Sequence, residues 1–131
     1  MRIILDTNVF VAGVFFAGVS SAILDAWRCG RIILVVSPEI MEEYRRVTHE
    51  LAEKFPAVDP GPPMELIAIQ AQVVEAPPLP VPVCTDPSDD MFLACAVASD
   101  TKIITSGDKA LLRTSGYKGV EVLTRRAFGG E

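Results

Sequence analysis

The chain has 131 residues, 50% of them hydrophobic and 22% charged, with a net charge of −5. That length and composition suit one soluble domain, residues 1–131, and exclude a disordered chain; no apolar run reaches the roughly 18 residues a membrane helix needs. The acidic balance argues against a nucleic-acid binder that works through a basic surface, but not against one that works through metal ions held by carboxylates.

The amino-terminal stretch MRIILDTNVFVAGVFFAG is apolar enough to imitate a secretory leader, yet Asp6 and Asn8 break the run where a leader is continuous, so a cytoplasmic setting is expected. RIIL (2–5) is β-rich and reads as a buried strand. VSSAILDAWRCG reads as a helix capped by Ser20 or Ser21 and ended by Gly30, and RIILVV (31–36) as a second buried strand. SPEIMEEYRRVTHELAEKF opens with a Ser cap and with Pro38 at the first helical position. DPGPP breaks the chain; MELIAIQ then reads as a short helix and AQVVEA as a strand. The four prolines of APPLPVPV require an extended loop. DPSDDMFLACAVAS reads as a helix, KIIT (102–105) as a strand, DKALLRTSG as a helix and VEVL (120–123) as the last strand.

Strands alternate with helices and are apolar on both faces, which indicates an α/β fold with a parallel sheet covered on each side. Ligands of such sheets bind beyond the carboxyl ends of the strands. Three cysteines (Cys29, Cys84, Cys95) with no CxxC spacing point to reduced thiols. The single histidine, His49, is expected on a helix surface, which removes most Ser/His/Asp and Cys/His schemes.

Two strands each deliver an aspartate to one edge: RIIL runs into Asp6-Thr7-Asn8, and KIIT into Ser106-Gly107-Asp108. Either alone reads as a turn or cap residue, but like charges gathered at one edge repel unless a cation neutralises them. On the second helix Ile40, Tyr44, Val47 and Leu51 mark the buried stripe. Glu42 lies opposite, in reach of an i,i+3 partner, whereas Glu43 borders the stripe near the end of strand RIILVV. Asp86-Pro87-Ser88-Asp89 has the form of a helix start, with Asp86 as cap, Pro87 first and Asp89 placed to reach back to the cap. Asp90 reads as a helix-start charge facing water. Hard oxygen ligands suit Mg²⁺ or Mn²⁺, and carboxylates holding such ions suit phosphodiester hydrolysis.

At these residues the chain resembles the PIN-domain ribonucleases, and within them the toxin branch of toxin–antitoxin systems related to the VapC toxins. The matching segments are RIILDTNVFVAG, VVSPEIMEEYRRV, TDPSDDMFLACAVAS and KIITSGDKALL, in that order and over nearly the whole chain. The resemblance implies a PIN-like three-layer α/β/α fold with about five parallel strands and an Mg²⁺- or Mn²⁺-dependent endoribonuclease site. It assigns the metal-binding, catalytic acids to Asp6, Glu43, Asp89 and Asp108. Asp89 follows from counting back from Ala94-Cys95-Ala96. Asn8, Ser37, Asp86, Thr105 and Ser106 fall at polar positions that brace those acids. It further implies an RNA substrate, a cognate antitoxin and a homodimer. The apolar FVAGVFFAGV stretch offers a dimer face or, equally, core packing. Arg45, Arg46, Lys109, Arg113, Arg125 and Arg126 are available to phosphates but fit solvated faces as well.

Three other readings compete. A haloacid dehalogenase-type phosphatase needs an acid where this chain has Asn8. A receiver domain needs an acid after a middle strand, where this chain has SPE or PPLP. A PIN-like module that binds RNA or protein without cleaving it keeps the same residues.

Overall fold

A computed structural model describes residues 1–129. Five parallel strands form one sheet: β1 (Arg2–Leu5), β2 (Ile33–Val36), β3 (Gln72–Val73), β4 (Ile103–Thr105) and β5 (Glu121–Leu123). Their order is β3-β2-β1-β4-β5, with Ile3 level with Leu34 and Ile4 level with Ile104. The expected α/β/α fold with about five parallel strands is what the chain adopts. Connections run one way from β1 to β3 and the other way from β4 to β5, so the topological switch point falls between β1 and β4. Crevices at such points are where open α/β sheets take their ligands.

Seven helices accompany the sheet among the described residues: α1 (Thr7–Phe15), α2 (Val19–Arg28), α3 (Pro38–Lys54), α4 (Gly61–Gln70), α5 (Asp90–Ser99), α6 (Lys109–Leu112) and α7 (Arg125–Phe128). None of them is long and apolar enough to cross a membrane. The core joins Ile3, Ile4 and Leu5 of β1 to Leu34, Val35 and Val36 of β2, with Phe10, Leu24, Tyr44, Leu93 and Leu111 from the helices, all of them buried.

α1 has no counterpart in the sequence reading. Its β-branched and aromatic residues carry weak helical preference. Asp6 caps it through Asn8 N at 2.9 Å, and Val9, Phe10, Val11 and Phe15 are all buried, so tertiary packing decides its form. Most of the FVAGVFFAGV stretch is therefore core, and Phe16, Ala17 and Gly18 are its exposed end. Gly13 allows the close crossing with α2: a Cβ there would lie 2.7 Å from Leu24 Cγ and 2.8 Å from the Ser20 carbonyl.

Several boundaries depart from expectation. α2 is capped by Gly18, at φ 133°, with no side-chain cap; Ser20 is buried instead and accepts a bond from Arg125 at 3.0 Å. β2 starts at Ile33 rather than Arg31, and β3 keeps only two residues of AQVVEA before the prolines, which have no ladder N–H to offer. The buried stripe of α3 is Ile40, Tyr44 and Thr48, with Val47 and Leu51 only half-buried. α6 is a single turn, because Gly116 at φ 100° turns the chain back toward β5. α7 also went unread; Thr124 caps it through Ala127 N at 3.1 Å.

Candidate acidic metal site

Asp6 leaves β1 at the switch point and is buried. Its Oδ1 accepts the Asn8 N–H, its Oδ2 accepts the Ser106 hydroxyl, and its own N–H donates to the Thr105 carbonyl at 2.9 Å. Ser106, fully buried, also accepts the Asp108 N–H at 2.9 Å. One hydroxyl therefore ties the acid after β1 to the turn after β4. Asp108 in turn caps α6 through Ala110 N at 2.8 Å. Burial raises the Asp6 carboxyl above its usual value; the Ser106 and Asn8 donors restrain the rise, and the charges of Asp108 and Glu43 add to it.

Asp89 enters from the other direction, on the 3₁₀ turn Pro87–Asp89 ahead of α5. Asp86 caps that turn, accepting Ser88 N at 3.0 Å and Ser88 Oγ at 2.9 Å. The expected reach of Asp89 back to the cap is not made; its Oδ2 is buried and meets no donor. Asp108 lies near enough to act on Asp89 through hydrogen bonding and charge. Burial first, then hydrogen bonding to Asp108 and the charges of Asp108, Asp86 and Asp6, push Asp89 up from 3.8 to about 7. When Asp89 is ionised, its buried Oδ2 has no donor and feels the charges of Asp108, Asp86 and Asp6.

Glu43 lies in the second turn of α3 and acts on Asp6 electrostatically, but its carboxylate is held by Arg46 at 2.8 Å. Among the described residues, no three of these acids close around one point as a ready-made metal cage. Asp6, Asp89 and Asp108 act on one another electrostatically, and Glu43 is engaged by its ion pair with Arg46. The donor set, all carboxylate oxygens with one buried and unsatisfied, fits a hard divalent cation.

Of the supporting positions, Ser106 and the backbones of Asn8 and Thr105 touch Asp6 directly, and Asp86 acts on Asp89 through charge and through the turn it caps. Ser37 acts from further back, accepting Ile40 N at 3.2 Å and so fixing where α3 begins. Glu42 pairs with Arg45 at 2.9 Å, as its i,i+3 spacing suggests, and His49 is exposed.

Asp90 corrects the sequence reading. It does not face water as a free helix-start charge: its oxygens accept Val83 N at 3.2 Å and Cys84 N at 2.8 Å. Burial alone would raise its carboxyl, but the Cys84 backbone and thiol and the Val83 N–H bring it below the usual value. Asp90 thus pins the end of the Pro-rich loop to α5 and sets where Asp89, its neighbour, stands. Tyr44, a member of the expected buried stripe, also braces the site. Its hydroxyl donates to the carbonyl of Leu5, the residue before Asp6, while its ring stacks on Phe10 with centroids 4.3 Å apart.

No curated protein matches the chain significantly. A family model described as a PIN domain matches residues 2–110, which takes in β1 through the start of α6 and all four acids. A parallel five-stranded sheet with acids beyond its switch point, matched over that length, places this chain in the PIN-domain family, whose members are usually nucleases.

Proposed function

We propose that the protein is an Mg²⁺- or Mn²⁺-dependent endoribonuclease that hydrolyses RNA phosphodiester bonds at this acidic edge. The observation that carries the reading is the buried, donor-less Oδ2 of Asp89 beside Asp108 and Asp6, at the switch point of a PIN domain. Asp6, Asp89 and Asp108 would hold the cation, joined by Glu43 once it leaves Arg46. A cation so held supplies Lewis acidity at a phosphoryl oxygen and lowers the pKa of water. The chain's own part is placement. Ser106 and Asn8 hold both oxygens of Asp6 in fixed directions, and the Asp86 cap with the Asp90 anchor fixes the turn that carries Asp89. Tyr44 holds the end of β1 from behind.

Asp6→Asn should abolish Mn²⁺-dependent cleavage of RNA with the fold kept, read by gel and by circular dichroism. Undiminished cleavage by that variant would remove the assignment. The Glu43–Arg46 pair favours one second reading, a PIN-like module that binds RNA or protein without turnover. An inert wild type with Mn²⁺ and varied RNAs would select it.

The toxin role rests on the four segments that resemble the toxin branch. It adds a cognate antitoxin that covers the acidic edge, a homodimer and a cytoplasmic setting. An adjacent small reading frame whose product binds this protein and suppresses cleavage would support it.

A further inference from the structure

The helix that begins at Asp6 leads from the acids to a second feature. Along α1, Asn8 and Ala12 are four residues apart and so share one face, Asn8 exposed and Ala12 half-buried; Phe16, the extended residue that ends the helix, is 49% exposed. The helix itself runs about 14 Å at the helical rise. At its far end Ala12 and Phe16 line a cleft of about 360 Å³ with Ser20, Arg125 and Arg126. No carboxylate lines that cleft. Arg125 and Arg126 open α7 directly after β5, so they stand at the same edge of the sheet as Asp6 and Asp108, about 10 Å from β1 at two strand spacings. Neither arginine pairs with a carboxylate among the described residues, and the Arg125 guanidinium is aimed by the buried Ser20 hydroxyl at 3.0 Å. Phe16 leans on the edge of Phe55 at 5.2 Å, which steadies its ring.

We infer that this cleft is the subsite for single-stranded RNA flanking the scissile bond, with phosphates on Arg125 and Arg126 and a base stacked on Phe16. It deepens the nuclease reading and rests on it for the substrate class. The chemistry is that of sequence-tolerant single-strand binding: cations tracking the backbone and an exposed aromatic face beside them. An acidic site needs such a neighbour, because its own carboxylates repel the strand it would cut. Asn8 and Ala12, between Asp6 and Phe16 in the chain, leave that strand an open path.

The test is binding, not cleavage. A short fluorescein-labelled single-stranded RNA of mixed sequence is titrated with the full-length protein in EDTA and followed by anisotropy over a salt series. Arg125→Ala/Arg126→Ala should weaken binding and lower the salt slope by about 1, as expected for lost phosphate contacts to a single strand. Arg125→Lys/Arg126→Lys should largely keep the slope. Phe16→Ala should weaken binding about fivefold or more with the slope unchanged, the stacking signature. Wild-type binding that is absent, or unchanged in affinity and slope in all variants, overturns the inference. So does loss of a dimer on sedimentation with RNA binding kept, which would give the face to a second copy of the chain. Failure of the nuclease reading itself shows elsewhere, as Asp6→Asn cleaving like wild type, and leaves this measurement standing.

Discussion

Replacing Asp89 with Asn should make the metal-free protein more stable, because Asp89 is held against its charge. Its carboxyl lies at about 7 in the fold against 3.8 unperturbed. The folded protein therefore binds more protons than the unfolded one between those values. The stability linked to Asp89 is fully present below 3.8 and is lost as pH rises through about 7. Taken whole, that gap sets a ceiling of about 4 kcal/mol. Asp89 is only partly buried, and solvent screening cuts the figure to about 1–2 kcal/mol. Asn keeps the shape, loses the charge and offers an N–H to Asp108. In EDTA, above the Asp89 value, the variant should melt about 3–10 °C higher than wild type. Well below that value the two should converge.

Thermal unfolding by circular dichroism over a pH series measures this directly, and repeating it with Mn²⁺ adds the second half. The cation should raise the wild-type midpoint increasingly as pH climbs through the Asp89 value, and should do little for Asp89→Asn. A variant that melts lower than wild type in EDTA, or whose pH profile parallels it, would refute the claim that Asp89 carries uncompensated charge. The metal reading would then lose its main physical support.

Other outcomes follow from single contacts. Gly13→Ala should destabilise by about 1–3 kcal/mol, read by urea unfolding, since its Cβ would strike Leu24 and the Ser20 backbone. Tyr44→Phe keeps the Phe10 stack but leaves the Leu5 carbonyl without its buried donor; it should cost about 1 kcal/mol in the same assay and weaken Mn²⁺ binding, because the strand end before Asp6 is then less firmly held. Of the three thiols, only Cys29 should react quickly with Ellman's reagent in the native protein. Cys29 is exposed, whereas Cys84 and Cys95 are buried and, with burial the leading cause, both pushed up to about 12.

The acids at the ends of β1 and β4 were legible because a strand followed at once by Asp needs only local pattern to be seen. Glu43 was legible from helix spacing, but its partner Arg46 was not chosen: a three-residue interval offers both a pairing and a solvated charge, and only side-chain direction separates them. α1 escaped because its residues favour strand over helix in isolation; its capping and burial are tertiary facts. Asp90 escaped for a related reason. A carboxylate at a helix start is explained well enough by the helix alone, and nothing local shows that the chain six and seven residues earlier folds back with two amide groups facing it. The Tyr44 bond to Leu5 spans 39 residues and has no sequence period to announce it.

Net charge is a poor guide to where this protein meets RNA. At −5 the chain looks unsuited to RNA. Yet exposed charges more than about 8 Å apart are largely screened at physiological ionic strength, so a phosphate responds to what lies within one screening length. From Lys109 to Gly129 the sequence holds five cations (Lys109, Arg113, Lys118, Arg125, Arg126) against one acid, Glu121. At the sheet edge this segregation puts Arg125 and Arg126 beyond β5, while Asp6, Asp89 and Asp108 gather at the switch point. A strand on the arginine side meets attraction there, and meets the carboxylates only where a bound cation has already cancelled their charge. The arginine cleft would then hold the flanking strand with or without metal, while the scissile phosphate would reach the acids only in their metal-loaded form.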